Sequence, residues 1–191
     1  MGKKLSEMTL QELWKLFPIF LEPHNAVWAK NYAEMQKFLT EKSNNRDILR
    51  ICHIGSTAIP NIQAKPIVDI LVEIPRDKDI KEVAAEIEKL GFLKMSESDT
   101  RVSFNYGYTE RGFADKVFHL HLRFAGDNDE LYFRDYLLDN PDVAKEYEKL
   151  KIGLAREFEH DRDGYTAAKT DFVKHYTELA KTLYADRYRI K

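Results

Sequence analysis

The chain has 191 residues, 43% of them hydrophobic and 32% charged, with a formal net charge of −2. That is enough for one domain or two small ones with a sizeable core, in the composition range of a folded protein rather than a disordered one. The near-neutral charge argues against a DNA or anionic-membrane partner, and a single cysteine, Cys52, excludes an internal disulfide or a thiolate metal cluster.

In chain order, the start carries no signal-peptide core and no apolar run approaches the roughly 20 residues of a membrane span, so a cytoplasmic protein is expected. Leu10, Leu13, Trp14, Phe17 and Phe20 predict a short packing helix over 6–20, with Pro18 near its end. A turn follows, with Asn25 as N-cap of a helix over 26–39 that carries Trp28, Tyr32, Met35 and Leu39 on one stripe. Residues 42–46 read as a polar link. Ile51–Ile54 is a short β-branched strand, followed by Gly55-Ser56-Thr57, a Pro60-Asn61 turn and Lys65-Pro66. Residues 67–74 are apolar except for Asp69 and Glu73, and read as a buried strand.

An amphipathic helix over 79–90 ends at Gly91. Extended segments are expected over 92–95 and 102–108, then a tight turn over 107–112. A strand over 116–124 places His119, His121 and Arg123 on one face. From residue 129 onward the chain reads as helical. The helices cover 130–138, 141–160 with Asn140 as cap and Pro141 at its first position, and 165–184 with Phe172, Tyr176, Leu179 and Leu183 inward. Asp161–Gly164 is a turn between the last two. With no repeat or linker, the chain reads as a single α+β domain over 1–191.

Asp69 is the residue that asks for a reason, because an ionised carboxylate among apolar neighbours is paired, bound to a cation or placed at a strand mouth. Strand periodicity puts Asp69 and Glu73 on one face, and Gly55, Ser56 and Thr57 converge with Asp69 at one end of the sheet. Ser56 and Thr57 offer N–H groups and hydroxyls to phosphate at a helix N-terminus, or serve only as a cap. Lys65 lies in the same loop, as a ligand contact or a solvated lysine. Glu73, nearer the strand's end, is solvated, ion-paired or a partner to Asp69. His119 and His121, with Asp69, have the makings of a first-row metal site with open positions. Arg123, Arg134, Lys151, Tyr165 and Lys169 are candidate anion binders, with Tyr165 and Lys169 one helical turn apart.

The stretch HIGSTAIPNIQAKPIVDILVE resembles the signature of the GrpB, or glutamate-rich protein, family. The likeness continues through VFHLHLRF, LYFRDYLLDNPDVAKEYEKLK, DRDGYTAAKTDFV and LFPIFLEPHNAVW, most of the chain. It implies an α+β fold, a mixed sheet flanked by helices with a helical C-terminal portion, like nucleotidyltransferases of the DNA polymerase beta superfamily. Those enzymes carry Gly-Ser after the first strand, two acids on the second and a third acid on a later strand. Gly55 and Ser56 match the first element and Asp69 the first acid, but Leu71 stands at the second-acid position and His119 and His121 where the third acid belongs. Two-metal transfer needs anionic ligands, so the standard site is incomplete.

The resemblance therefore implies transfer of a nucleotidyl group to a small acceptor, with Asp69 and Glu73 catalytic. Gly55, Ser56, Thr57, Lys65, Arg123, Arg134, Lys151, Tyr165 and Lys169 would hold a nucleotide or coenzyme-like ligand. Mg²⁺ or Mn²⁺ is the implied cofactor, or Zn²⁺ if His119 and His121 are ligands. The alternatives are a binding module with a degenerate site, or a metal-dependent hydrolase built on Asp69, His119 and His121.

Overall fold

The computed structural model describes residues 3–42 and 48–189. Its β-branched and aromatic runs form five strands of one mixed sheet: β1 (Arg50–Ile54), β2 (Val68–Ile74), β3 (Leu93–Glu97), β4 (Arg101–Thr109) and β5 (Gly112–Phe124), in the order β1-β2-β5-β4-β3. β2 and β5 pair in parallel at the centre, and the other pairs are antiparallel. The chain is α+β, as its sequence pattern predicts.

The two faces of this central pair differ in chemistry. Ile70, Val72 and Ile74 with Phe118, Leu120 and Leu122 point to one side. There they meet Trp28, Met35 and Leu39 of α2 (Val27–Lys42) and Ile80, Val83 and Ile87 of α3 (Ile80–Lys89). Burying side chains of this size contributes about 1.5–3 kcal/mol each, so this layer is the main core. Asp69, Leu71 and Glu73 with His119, His121 and Arg123 occupy the other side. The four C-terminal helices lie over it: α4 (Asp129–Asp139), α5 (Pro141–Glu157), α6 (Arg162–Ala167) and α7 (Thr170–Leu183).

Local signals in the sequence explain most element ends. Asn25 Oδ1 accepts from Val27 N–H at 2.9 Å, and Asp79 Oδ1 from Lys81 N–H at 2.8 Å, as N-caps do. Gly91 follows α3 with φ +93°. The first helix is shorter than its apolar spacing predicts: α1 covers only Leu10–Leu16, started by a Thr9/Glu12 capping box. Ahead of Pro18 the chain leaves the helix, and Phe17 and Ile19 bury themselves from extended chain while Leu10 stays exposed. Of the expected polar link, residues 43–46 lie outside the described residues.

Three expectations in the C-terminal half need correction. Asn140 is the N-cap residue of α5, its carbonyl accepting from Ala144 N–H at 3.1 Å, but its side chain makes no capping bond and instead donates back to Tyr136 O of α4 at 2.8 Å. Asp161–Gly164 is not a separate turn. Asp161 caps α6 by accepting from Gly164 N–H at 2.9 Å, so the expected helix over 165–184 is two helices. The restart at Thr170 rotates the inward stripe of α7 onto Thr177 and Ala180, leaving Leu179 and Leu183 exposed. No helix among the described residues is long and apolar enough to cross a membrane.

Candidate functional site

Asp69 sits where β1 hands over to the loop. Ile54 is its partner in β1 and His119 its partner in β5. Gly55 has φ +70°, and a Cβ there would overlap Asp69 Oδ2 and lie 2.9 Å from its Cγ. Only glycine lets the backbone pass this close to the carboxylate. Asp69 Oδ1 accepts from His119 Nδ1 at 3.1 Å, with His121 Nε2 3.8 Å away. Burial alone would raise the carboxyl's pKa, but the hydrogen bond from His119 and then the nearby His121 imidazole outweigh it and hold Asp69 well below the usual carboxylate range. The acid is ionised and still 26% exposed.

The histidines are themselves held. Tyr108 Oη lies 2.8 Å from His119 Nε2, and Arg162 donates to the same phenol oxygen at 2.9 Å. Burial lowers the pKa of His119 against the pull of Asp69. Arg123 donates to His121 Nδ1 at 3.4 Å and to the carbonyls of Leu122 and Val102 at 3.1 and 3.3 Å. Its guanidinium is buried and aims at these groups, so it orients a histidine and does not face a ligand.

In front of Asp69 a cleft of about 870 Å³ opens between the sheet end and the C-terminal helices. Lys65 and Lys169 both lie over the Tyr165 ring, with Nζ 5.3 and 4.1 Å from its centroid. Lys151 donates to Gln63 O at 2.5 Å and lies 5.0 Å from the Tyr147 ring centroid. Burial first, then neighbouring cations, push Lys65 and Lys151 down to about 7, and burial pushes Lys169 down to about 8. Among the described residues, none of these three lysines nor Arg162 makes a carboxylate ion pair. Ile59, Phe133, Leu137 and Val173 give the same cleft an apolar wall.

Gly55, Ser56, Lys65, Asp69, His119, His121, Lys151, Tyr165 and Lys169 all line this one cleft. Four others are not free for a ligand. Thr57 borders the cleft, yet its buried hydroxyl donates to Ile67 O at 3.3 Å and bonds His53 Nε2 at 3.0 Å. The turn it belongs to, Ser56–Ala58, is a single turn of 3-10 helix and no helix N-terminus for phosphate. Arg134 borders the cleft but spends its donors on Asp135, on His53 O at 2.8 Å and on Tyr188 at 2.9 Å. Arg123 is turned inward, as above. Glu73 lies away from the cleft, fully buried, accepting from Gly126 N–H at 3.0 Å and Asn128 at 2.9 Å and paired with Arg50 at 3.0 Å.

Sequence reasoning passed over Tyr108 and Arg162, which hold His119. Arg162 had a signal, since Asp161 is a helix cap and places the next residue at a helix start. Leu71 packs with Ile54 and Leu131 in a small apolar cluster, so a second acid has no counterpart there. Among the described residues no group of three His, Cys, Asp or Glu side chains is arranged to hold a metal ion. Asp69 and the imidazoles satisfy one another, so the residues present do not fit the two-cation arrangement that the resemblance implies.

Fold and site together define an α+β protein with an acid–histidine cluster at the mouth of a cationic cleft. The chain belongs to the GrpB family: the family model described as GrpB protein matches residues 18–179. It is 36% identical over 161 residues to the glutamate-rich protein GrpB of Alkalihalophilus pseudofirmus, covering 81% of this chain and 91% of that one. It is 29% identical over 184 residues to the YqkA protein of Bacillus subtilis, covering 93% of this chain but only 52% of that one. Among solved structures, the conserved protein GrpB from Enterococcus faecalis matches with a TM-score of 0.73 at 27% identity, over 86% of this chain and 99% of that one. The Cid1 poly(U) polymerase is a looser likeness, at TM-score 0.39 and 12% identity over 74% of this chain and 47% of that one, too loose to argue from.

Proposed function

We propose that the chain binds a nucleoside triphosphate, or a coenzyme with a similar phosphate chain, in this cleft and transfers its nucleotidyl group to a small acceptor. The observation that carries the reading is the set of cations without carboxylate partners, Lys65, Lys151, Arg162 and Lys169, facing an ionised Asp69 across one cleft. Buried charge without a partner is costly, and an anionic ligand relieves that cost. The cations would neutralise the phosphate chain, while the apolar wall accepts the flat, less polar part of the ligand. Asp69 would orient the acceptor hydroxyl in line with the α-phosphorus. The acceptor oxygen then bonds to phosphorus, the bond to pyrophosphate breaks, and the hydroxyl proton passes to the acid–histidine cluster. Positioning and charge stabilisation supply most of the rate in such chemistry. A divalent ion escorting the phosphates is part of the expectation for this ligand class.

The test is release of pyrophosphate from a panel of nucleoside triphosphates with small hydroxyl and amine acceptors, with and without Mg²⁺, Mn²⁺ or Zn²⁺. Nucleotide-dependent release that disappears in Asp69→Ala is expected, and release undiminished in that variant would refute the assignment. A second reading, nucleotide binding without turnover, is favoured by Leu71 in its apolar cluster. Lysine-dependent binding with no product would establish it in place of the first.

A further inference from the structure

Tyr106 and Tyr108 are two apart in β4, yet they belong to opposite sides of the sheet. Tyr106 packs with Phe92 and Phe118 in the main core. Tyr108 instead meets Phe17, Phe113 and His119. Between them lies Gly107, at φ +83°, where the ladder with β5 loses its register. A Cβ at Gly107 would overlap Lys116 O and lie 3.2 Å from the Lys116 carbonyl carbon. Irregularities of this kind re-aim a side chain, and they do so often beside functional sites.

We infer that Tyr108 is a positioning residue for the Asp69–His119 pair, carried to that face by Gly107 to hold His119 in one neutral tautomer. The logic follows from donor inventories. A guanidinium only donates, so the Tyr108 oxygen is the acceptor of the bond from Arg162 at 2.9 Å. Tyr108 therefore has its own hydroxyl proton for His119 Nε2 at 2.8 Å. Asp69, ionised, only accepts, so His119 Nδ1 carries the ring proton at 3.1 Å. An imidazole that accepts at Nε2 and donates at Nδ1 is neutral and fixed in orientation by both bonds. Arg162 also borders the cleft, so an anion bound there shares the guanidinium that polarises the phenol. Occupancy of the cleft is thereby linked to the histidine behind it. That last link rests on the ligand reading proposed above, whereas the tautomer assignment does not.

The experiment is long-range ¹H–¹⁵N correlation NMR on the full chain labelled with ¹⁵N-histidine, without ligand, with His119 signals identified by their loss in His119→Gln. The wild type should show a protonated Nδ1 and an Nε2 displaced by hydrogen bonding. In Tyr108→Phe, which keeps the ring packing, Nε2 should move to the position of a free acceptor nitrogen. Gly107→Ala, where folded, should reproduce that shift, because Tyr108 no longer reaches the histidine. A wild-type-like Nε2 in Tyr108→Phe, or a ring proton on Nε2 in the wild type, overturns the inference. Neither result touches nucleotide binding, which has its own test.

Discussion

Two acids on the same face of β2 have opposite fates. Glu73 is closed in: no part of it is exposed, Gly126 and Asn128 donate to its Oε1, and its Oε2 has only the charge of Arg50 beside it, with no hydrogen bond. Asp69, four residues earlier, has its charge held by two imidazoles and still faces an open cleft lined with lysines. Strand periodicity assigns both to one side and says nothing about which is capped by its surroundings. The glycine backbone against Asp69 and the Gly126–Asn128 loop against Glu73 make the difference. A carboxylate enclosed together with its countercharge holds the fold together, and one whose partners leave a side open is available to a ligand.

The sharpest way to break this contrast is at the closed end. Glu73→Ala strands the Arg50 guanidinium and the Asn128 amide, and should cost about 3 kcal/mol in chemical denaturation, because removing one partner of a buried pair leaves the other uncompensated. Asp69→Asn should cost far less stability in the same measurement. Gly55→Ala comes next. Its backbone conformation suits glycine alone and its Cβ would displace the Asp69 carboxylate, so a loss of about 2 kcal/mol is expected. Lys65→Met and Lys169→Met should each weaken ATP binding about tenfold in calorimetry, the worth of one charge-assisted contact, while the melting temperature rises, because a costly unpartnered charge leaves the interior.

The smallest effect concerns pH. Lys65 and Lys151 titrate near 7 and Lys169 near 8 in the fold, whereas unfolded lysines titrate near about 10.4. Between about pH 7 and 10 the unfolded chain therefore holds more protons, so these three residues make stability rise with pH. Over the same window they lose charge, and anion affinity should fall. Melting temperature and ATP affinity measured from pH 6.5 to 9 should move in opposite directions, and Lys65→Met/Lys169→Met should flatten both trends.

Much of this was legible in the residues. The order strand, Gly55-Ser56, loop with Lys65, acid-bearing strand brings Gly55 and Asp69 together by chain connectivity alone, and His119-X-His121 follows from a period of two. Tyr165 and Lys169 meet through helical spacing, although the chain bends out of one helix and into the next between them. What stayed hidden depends on partners rather than on pattern. Arg123 and Arg134 look like free cations until carbonyls and Asp135 are seen to occupy them. The break before Thr170 falls between Ala167 and Thr170, where no proline or glycine marks it. Tyr108 was masked by the regular alternation of Val102, Phe104 and Tyr106, which Gly107 interrupts.

The most direct measurement is isothermal titration calorimetry of ATP, with and without Mg²⁺, into the wild type and into Lys65→Met/Lys169→Met at pH 7. Saturable binding by the wild type, weakened between about tenfold and a hundredfold in the double variant, is expected, the loss falling short of full additivity because both lysines share the Tyr165 ring. Equal affinity in both proteins, or no nucleotide binding by the wild type, would contradict the assignment of this cleft.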